Sequence, residues 1–526
     1  MIYDLAVVGA GFAGALVARL AALQGRRVAL VERDVHPRFA LGESSTPLAA
    51  LALERLARRY DQPDLEALAA HGRWRRRLPE LGCGLKRGFT FYRHQPGQPF
   101  RSHGPDARLL VAASPDDDSA DCHWRRADVD LALVEQARRA GVAYRDRCAV
   151  VGARQLDDRV RLTLRREDAD DRLEARYVVD ASGAAAAAGD PLGAGRGPVV
   201  PFSSRLVYAH FDGVAPFAPA ARAAGAVLPD GPYPDDQAAV HHLLDEGWLY
   251  ALRFDDGVVS AGLLIEGDTP DPPDRPAHLW RRVVGRYPTL AATFADARAR
   301  PPGLRATARL QRRRHRAAGA RWALLPHTFA FFDPMFSTGI AWGLLAVERL
   351  TGILTGGNPG AGLARYGRLL AREADQQQAL LTAAYMARRD LSLFREVSFL
   401  YFACVSYEEI RLRLLDDPET GPDGEGPAWR GFLGAGTAPW ASLLPQAPAR
   451  VSAALDGTAE GRAALSAWVR EGIRARNVVG LGDNPTHLYG VDLDLLRTRH
   501  DLLGLTREAL EARLPRLRGA EPDEGG

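Results

Sequence analysis

The sequence predicts an α/β fold in which a doubly wound, Rossmann-like domain carries an antiparallel-sheet lobe and a C-terminal helical region. Three observations predict it. Residues 3–33 (YDLAVVGAGFAGALVARLAALQGRRVALVER) read as a buried strand, a glycine-rich turn, a helix and a second buried strand. Residues 200–312 hold short alternating stretches (SRLVYAHF, AAVHHLL, GWLYALRF, VVSAGLLI) joined by Pro, Gly and Asp turns, the pattern of an antiparallel sheet. Beyond residue 358, stretches such as RYGRLLAREADQQQALLTAAYMARRDLSLF repeat at helical spacing. At 526 residues the chain exceeds one ordinary core. The expected division is residues 1–80, 120–199 and 313–357 in the first domain, 81–119 and 200–312 in the sheet lobe, and 358–526 in the helical region.

Within the first stretch, Gly9, Gly11 and Gly14 stand at G-x-G-x-x-G spacing, and each has its own task. Gly9 makes the tight turn, Gly11 lets a pyrophosphate approach the backbone, and Gly14 lets the helix pack against the strand. Phe12 and Ala13 open the helix, whose N–H groups and dipole favour an anion. Glu32 ends the second strand about 20 residues on, where a carboxylate accepts ribose hydroxyls, and Arg33 follows it. A dinucleotide is therefore expected, with NAD and FAD both open at this point.

Bulk composition excludes several classes. With 68 basic and 65 acidic residues the formal net charge is +3, and the basic residues are scattered rather than blocked, so no nucleic-acid or anionic-membrane partner is expected. Cys83, Cys122, Cys148 and Cys404 lie far apart without metal-ligand spacing, which fits a reduced cytoplasmic setting with no metal site. No signal peptide is expected before a strand that starts this early, and no uncharged apolar run is long enough for a membrane span.

Further along, Gly42, Ser44, Ser45, Thr46 and Pro47 lead from a loop into a helix that Thr46 or Ser45 can cap, with Pro47 at its first position. CGLKRGFTFYRH reads as a strand carrying Lys86 among Phe89, Phe91 and Tyr92; the pattern leaves open a surface lysine or a functional one. HWRRADVDLALVEQARRAGV gives a helix with Val129, Leu133, Ala137 and Ala140 on one face, ending near Gly141. In ARYVVDASG, Asp180 and Gly183 sit at the carboxyl end of an apolar strand, where a ligand crevice is expected. Gly193 to Gly197 (GAGRG) neither follows a strand nor opens a helix and reads as a loop. His241 and His242, adjacent in a strand, point to opposite faces and cannot chelate one metal together. Residues 321–350 return as strand, Pro-containing loop and helix, placing backbone N–H groups at Ser337 to Ile340. A Gly/Pro-rich flexible linker is expected over 416–436 and a disordered tail at GAEPDEGG.

Four of these segments together resemble the flavin-dependent halogenases, within the p-hydroxybenzoate-hydroxylase-like class of FAD enzymes. They are VVGAGFAG with Glu32, LGESSTP, the strand bearing Lys86, and FFDPMFSTGI, which matches F-x-x-P-x-x-S-x-G through Phe331, Pro334, Ser337 and Gly339. Arg126 with Asp130, and Asp180 with Gly183, resemble FAD contacts of the wider class. The resemblance implies an FAD-binding domain contacted by the glycine loop, Glu32, Arg33, Gly42, Ser44 to Pro47, Arg126, Asp180, Gly183, His327, Pro334, Gly339 and Ile340. It implies that a separate reductase supplies FADH2, that O2 and halide yield hypohalous acid, and that chloride or bromide rests near Ser337, Thr338 and Gly339. It further implies that the oxidant reaches Lys86, which holds it by hydrogen bonding or as a haloamine beside an electron-rich substrate; a desolvated lysine has the lowered pKa that either role needs.

Three departures qualify the resemblance. The G-W-x-W-x-I-P stretch of halogenases survives only as Gly247, Trp248, Leu249 and Tyr250, so Trp248 and Tyr250 are expected on the substrate side or in the sheet core. Phe336 replaces the glutamate that tryptophan halogenases carry before Ser-Thr-Gly, which points to phenol- or pyrrole-type substrates and puts Phe336 on the substrate side. Pro326 and His327 replace the Gly-Asp that binds the ribityl chain, so His327 is expected to take that contact. The second of these makes free tryptophan a poorer expectation; the other two keep open a flavin-dependent monooxygenase or reductase and a catalytically inactive flavin-binding relative.

Overall fold

The first sheet is organised around β1 (Ile2–Val8), which runs parallel to β2 (Val28–Val31) on one side and to the strand Ala169–Asp180 on the other. The computed structural model describes residues 1–101, 108–166, 169–267, 276–415 and 427–518. Leu5 to Val8 and Val28 to Val31 are all buried, as parallel strands covered on both faces must be. Helix α1 (Phe12–Leu23) covers one face through Leu16, Val17 and Leu20. After the second lobe the chain returns, as expected, with Trp322–Leu324 beside the Ala169–Asp180 strand. Val8, Val31, Asp180 and Leu324 therefore end level with one another and open a crevice at the carboxyl edge.

The three fingerprint glycines separate into two kinds. Gly9 has φ +99°, and a Cβ there would lie 2.6 Å from the Ala181 carbonyl oxygen. A Cβ on Gly14 would lie 2.0 Å from the Gly9 carbonyl oxygen. The fold itself demands these two. Gly11 has ordinary φ −72° and ψ 173°, and the nearest atom to a Cβ there is Arg126 Nη2 at 3.5 Å.

The second lobe uses β3 (Cys83–Lys86), β4 (Gly88–Arg93), β5 (Arg108–Ala112) and β6 (Asp121–Trp124). β4 and β5 join one large sheet with Ser204–Asp212, Ala239–Leu243, Gly247–Arg253 and Val259–Glu266. The pairings among residues 200–312 are antiparallel, but the lobe is mixed: Ala239–Leu243 runs parallel to β4, and Leu488–Tyr489 runs parallel to β5. No hairpin links either pair, so nothing local imposes an antiparallel direction. β3 and β6 form a separate antiparallel pair with Lys86 opposite Asp121. His241 and His242 face opposite ways, His241 stacking on Phe91 (4.6 Å) and Trp248 (5.2 Å), His242 meeting the His94 ring nitrogen at 2.9 Å.

The C-terminal region is helical as expected, with Pro359–Ala387, Leu391–Leu414, Trp440–Ala454 and Ala459–Ile473 as its longest elements. It is bolted to the first domain: Arg349 and Glu373, both wholly buried, pair at 2.6 Å, and the Trp342 indole N–H donates to Glu373 at 2.8 Å. The linker expected over 416–436 is corrected in its second half. Residues 427–436 form 3-10 turns in which Phe432 and Leu433 are buried, and the Phe432 N–H donates to Glu373 at 2.7 Å. Two apolar side chains within a Gly/Pro-rich stretch were enough to dock it. The first half of that linker, 416–426, and the tail from 519 lie outside the described residues. Among the described residues no helix is long and apolar enough to cross a membrane.

Candidate active site

At the crevice, the space above Gly11 is framed by two cations and one carboxylate: Arg126 Nη2 lies 3.5 Å, Arg38 Nη2 3.8 Å and Asp130 Oδ2 3.8 Å from the point a Cβ would occupy. Arg126 is held there by two hydrogen bonds that it donates to Asp130 (2.8 and 2.9 Å), by the Leu41 and Gly42 carbonyls, and by its stack over Phe12 at 4.8 Å. Asp130 in turn accepts the Phe12 N–H at 3.1 Å, tying the start of α1 to this cluster. Glu32 accepts the Ala10 N–H at 2.9 Å and faces Arg38 at 3.3 Å. Glu32 and Arg33 line the adjoining cleft together with Gly9 and Ser182. A backbone approach with no side chain, two guanidinium groups and a carboxylate one strand away fit a pyrophosphate and its ribose.

Asp180 and Gly183 stand at the strand end expected of them, with the Asp180 oxygens and the Gly183 N–H engaged within the protein. One Asp180 oxygen accepts the Ser182 N–H (2.9 Å) and hydroxyl (2.6 Å), and the other accepts the Ala188 and Gly189 N–H groups (2.9 and 2.8 Å). Gly183 spends its N–H on the Thr328 hydroxyl at 3.0 Å. Both shape the crevice wall rather than offer free groups to a ligand. A strand-end Asp followed by Ser and small residues carries the same sequence signal whether it binds a ligand or closes its own turn.

Beyond the crevice lies a cavity of about 230 Å³, lined among others by Gly42, Ser44, His327, Pro334, Ser337, Thr338, Gly339 and Ile340. The 338–355 helix starts here, and its first N–H groups have no acceptor within the helix. Ser337 precedes it in the left-handed region (φ 52°), its hydroxyl donating to Ser44 Oγ at 3.0 Å, so it makes no side-chain cap. Thr338 directs its hydroxyl to Gln377 at 3.1 Å. Burial, with Arg312 and Arg126 nearby, pushes the His327 imidazole down to about 3, so it faces the cavity neutral. A Cβ on Gly339 would lie 2.8 Å from His327 Nε2, so glycine there is a packing requirement. Trp248 and Tyr250 line this same cavity rather than a separate substrate side, and Trp248 is wholly buried.

A second cavity, of about 120 Å³, opens on the far side of residues 44–46. Phe89, Tyr401 and Phe402 line it, with Glu409 at its wall. Thr46 and Pro47, expected at the cofactor, line this cavity instead; the 44–46 turn puts Ser44 on one side and Thr46 on the other. Thr46 stands at the cap position of α2 (Pro47–Tyr60), with Pro47 first in the helix, but caps through no side-chain bond. Phe336 lines neither cavity. It is 1% exposed, stacks on Tyr401 at 4.6 Å and belongs to the aromatic packing between them.

Lys86 stands inside that partition. It is 0% exposed, donates to the Ser45 carbonyl and lies 4.1 Å over the ring of Phe89, a residue that lines the second cavity. Burial lowers its amine to about 8, against the raising effect of Asp121. Lys86 is also the only lysine in the sequence: the other 67 of the 68 basic residues are arginines. That signal lay open in the sequence and passes unnoticed when lysine and arginine are counted together. Glu43 was missed as well; buried at the first cavity, it accepts from His210 (2.7 Å) and Ser260 (2.6 Å). Asp333, bonded by Tyr385 and pushed up to about 7 by burial, is the second residue missed, because an Asp before Pro reads as an ordinary turn.

Among the described residues, His71, Cys83 and Asp255 bring possible ligand atoms within 4.8 Å of one another. Asp255 Oδ2 is already taken by Arg75 (3.0 Å) and His71 (3.0 Å), and burial pushes the Cys83 thiol up to about 12, so the cluster is a hydrogen-bonded one.

Residues 4–348 match the model of the FAD dependent oxidoreductase family. The chain is 28% identical over 346 residues to monodechloroaminopyrrolnitrin halogenase PrnC of Pseudomonas fluorescens, covering 64% of this chain and 59% of that protein. It is 28% identical over 353 residues to tetracycline 7-halogenase of Kitasatospora aureofaciens, covering 64% and 61%. The match thus spans about three fifths of the length of these relatives. The fold is shared with halogenase PltM, solved with phloroglucinol and FAD, at a TM-score of 0.79 and 22% identity over 91% of this chain and 98% of that one. The chain is an enzyme of the FAD dependent oxidoreductase family, similar in sequence to two halogenases.

Proposed function

We propose that the protein is an FADH2- and O2-dependent halogenase that passes hypohalous acid through Lys86 to an electron-rich aromatic, phenol- or pyrrole-type, or to another large metabolite. The observation that carries the reading is the placing of the sole lysine, fully buried in the partition between the Ser337–Ile340 cavity and a second, aromatic-lined one. The two similar halogenases support it.

Gly9–Gly14, Glu32, Arg126 and the first cavity would hold FAD, which in reduced form would supply the two electrons for O2 reduction, so that O2, halide and a proton give hypohalous acid and water. The residues of the chain do the rest. The N–H groups of Thr338 and Gly339, at the positive end of an 18-residue helix, hold the halide. Neutral His327 takes the ribityl side without adding a competing cation. Trp248 and Tyr250 give the first cavity an aromatic wall. Lys86, with only one acceptor for its amine, has N–H groups or a lone pair left to hold the oxidant. The second cavity, walled by Phe89, Tyr401 and Phe402, seats the arene. A separate flavin reductase completes the system.

The test is incubation with FADH2, O2, bromide or chloride and a phenol panel beginning with phloroglucinol. Halogenated product with wild type, and none with Lys86→Ala while FAD binding persists, is the expected result. A monooxygenase is the second reading, favoured by Tyr250 where halogenases have Trp and by Lys86 lining neither cavity; product formed without halide would establish it.

A further inference from the structure

We propose that Asp121 is a positioning residue for Lys86: from the facing strand its carboxylate keeps a proton on the buried amine. Its consequence for halogen transfer rests on the reading of Lys86 above, although the experiment below does not.

The geometry comes from the β3–β6 ladder, where Lys86 lies directly opposite Asp121. Opposite residues of an antiparallel pair point to the same face with Cβ atoms about 4.5–5.5 Å apart. Lys86 is 0% and Asp121 3% exposed. Asp121 Oδ2 is buried with no hydrogen-bond partner, and the Lys86 amine spends one bond, on the Ser45 carbonyl. The amine and the carboxylate do not touch: they lie more than 4.0 Å apart, so Asp121 acts on Lys86 through its charge across the ladder and not by a hydrogen bond, and either charge alone would be costly in this interior.

The remaining groups around the pair leave Asp121 as the anion facing the amine. On the Lys86 side stand Cys122 and His123 of β6 and His241 of the neighbouring sheet; burial keeps both imidazoles neutral, at about 3, and pushes the Cys122 thiol well up. On the Asp121 side the Leu391–Leu414 helix brings Tyr401, Glu409 and Arg413. Glu409 is paired with Arg413 at 2.9 Å, and Arg413 also holds Glu54 at 2.9 Å. Burial lowers Lys86 to about 8 and raises Asp121 to about 7, each charge opposing the other's shift. Each group thus bears on the other's protonation, and the pair is expected to titrate together.

Because the chain has a single lysine, [ε-13C]lysine labelling gives one side-chain resonance, that of Lys86, in the full-length protein. Followed against pH in the wild type, that resonance should show a main step below the ordinary lysine range and a smaller inflection from the carboxyl. In Asp121→Asn the main step should move down by about 1 unit, the direction expected when an opposite charge is removed from the facing strand position. Asp121→Glu should restore most of it. A step in Asp121→Asn within about 0.3 unit of wild type overturns the proposal. Should that variant not fold, absence of the second inflection in the wild type overturns it equally. A shifted step together with a Lys86→Ala enzyme that still halogenates would leave the dyad standing and remove the halogen-transfer reading; the converse would do the reverse.

Discussion

Gly11→Ala separates what the fold needs from what the cofactor needs. Gly11 has φ −72° and ψ 173°, which alanine adopts without strain, and its added methyl would come no closer than 3.5 Å to a protein atom. Removing a glycine at such a site stabilises by about 0.4–1 kcal/mol through the unfolded chain. The apo-protein should therefore melt no lower than wild type. The methyl would, however, stand in the space between the backbone, Arg126 and Arg38. Displacing a pyrophosphate there by the radius of a methyl loses one charge-assisted hydrogen bond, about 1.5–3 kcal/mol, which is roughly a 12- to 150-fold weaker Kd. Flavin-fluorescence titration against apo-protein, beside a thermal melt, measures both. Gly14→Ala is the control, because its Cβ would lie 2.0 Å from the Gly9 carbonyl oxygen and should lower stability and binding together. Unchanged FAD affinity in Gly11→Ala would refute the assignment of this crevice to the pyrophosphate.

Other outcomes follow from the same structure. Arg349→Ala strips a wholly buried Glu373 of its partner and should destabilise by about 3–5 kcal/mol in urea unfolding, loosening the helical region from the first domain. Asp333, raised to about 7 by burial, contributes stability that is full below its unfolded pKa and is lost as pH rises toward 7. Asp333→Asn should accordingly flatten the fall in Tm of the wild type between about pH 4 and 7. Phe336→Glu should lower Tm, because that side chain is 1% exposed and stacked on Tyr401.

The parts of this molecule legible in the sequence are those where the backbone dictates the residue. Gly9 and Gly14 are fixed by contacts under 3 Å, and the buried runs of β1 and β2 by coverage on both faces. The return of the chain at 322–340 was readable for the same reason: an apolar strand and a Gly-led helix leave few alternatives. What stayed hidden depends on which side of a turn a side chain falls. Ser44 and Thr46 are two residues apart yet line different cavities, and Phe336 points into packing while Ser337, its neighbour, faces the flavin cavity. Asp180 kept its place at the crevice but spends all its acceptors on its own turn. The parallel pairing of Ala239–Leu243 with β4 joins segments about 150 residues apart, which no local pattern records.

The most direct test of the central claim is mass spectrometry of the product formed from FADH2, O2, bromide and phloroglucinol by wild type and by Lys86→Ala. The account predicts a brominated product that requires bromide and disappears in Lys86→Ala, while FAD binding is retained. A hydroxylated product formed without bromide, or bromination undiminished in Lys86→Ala, would contradict it.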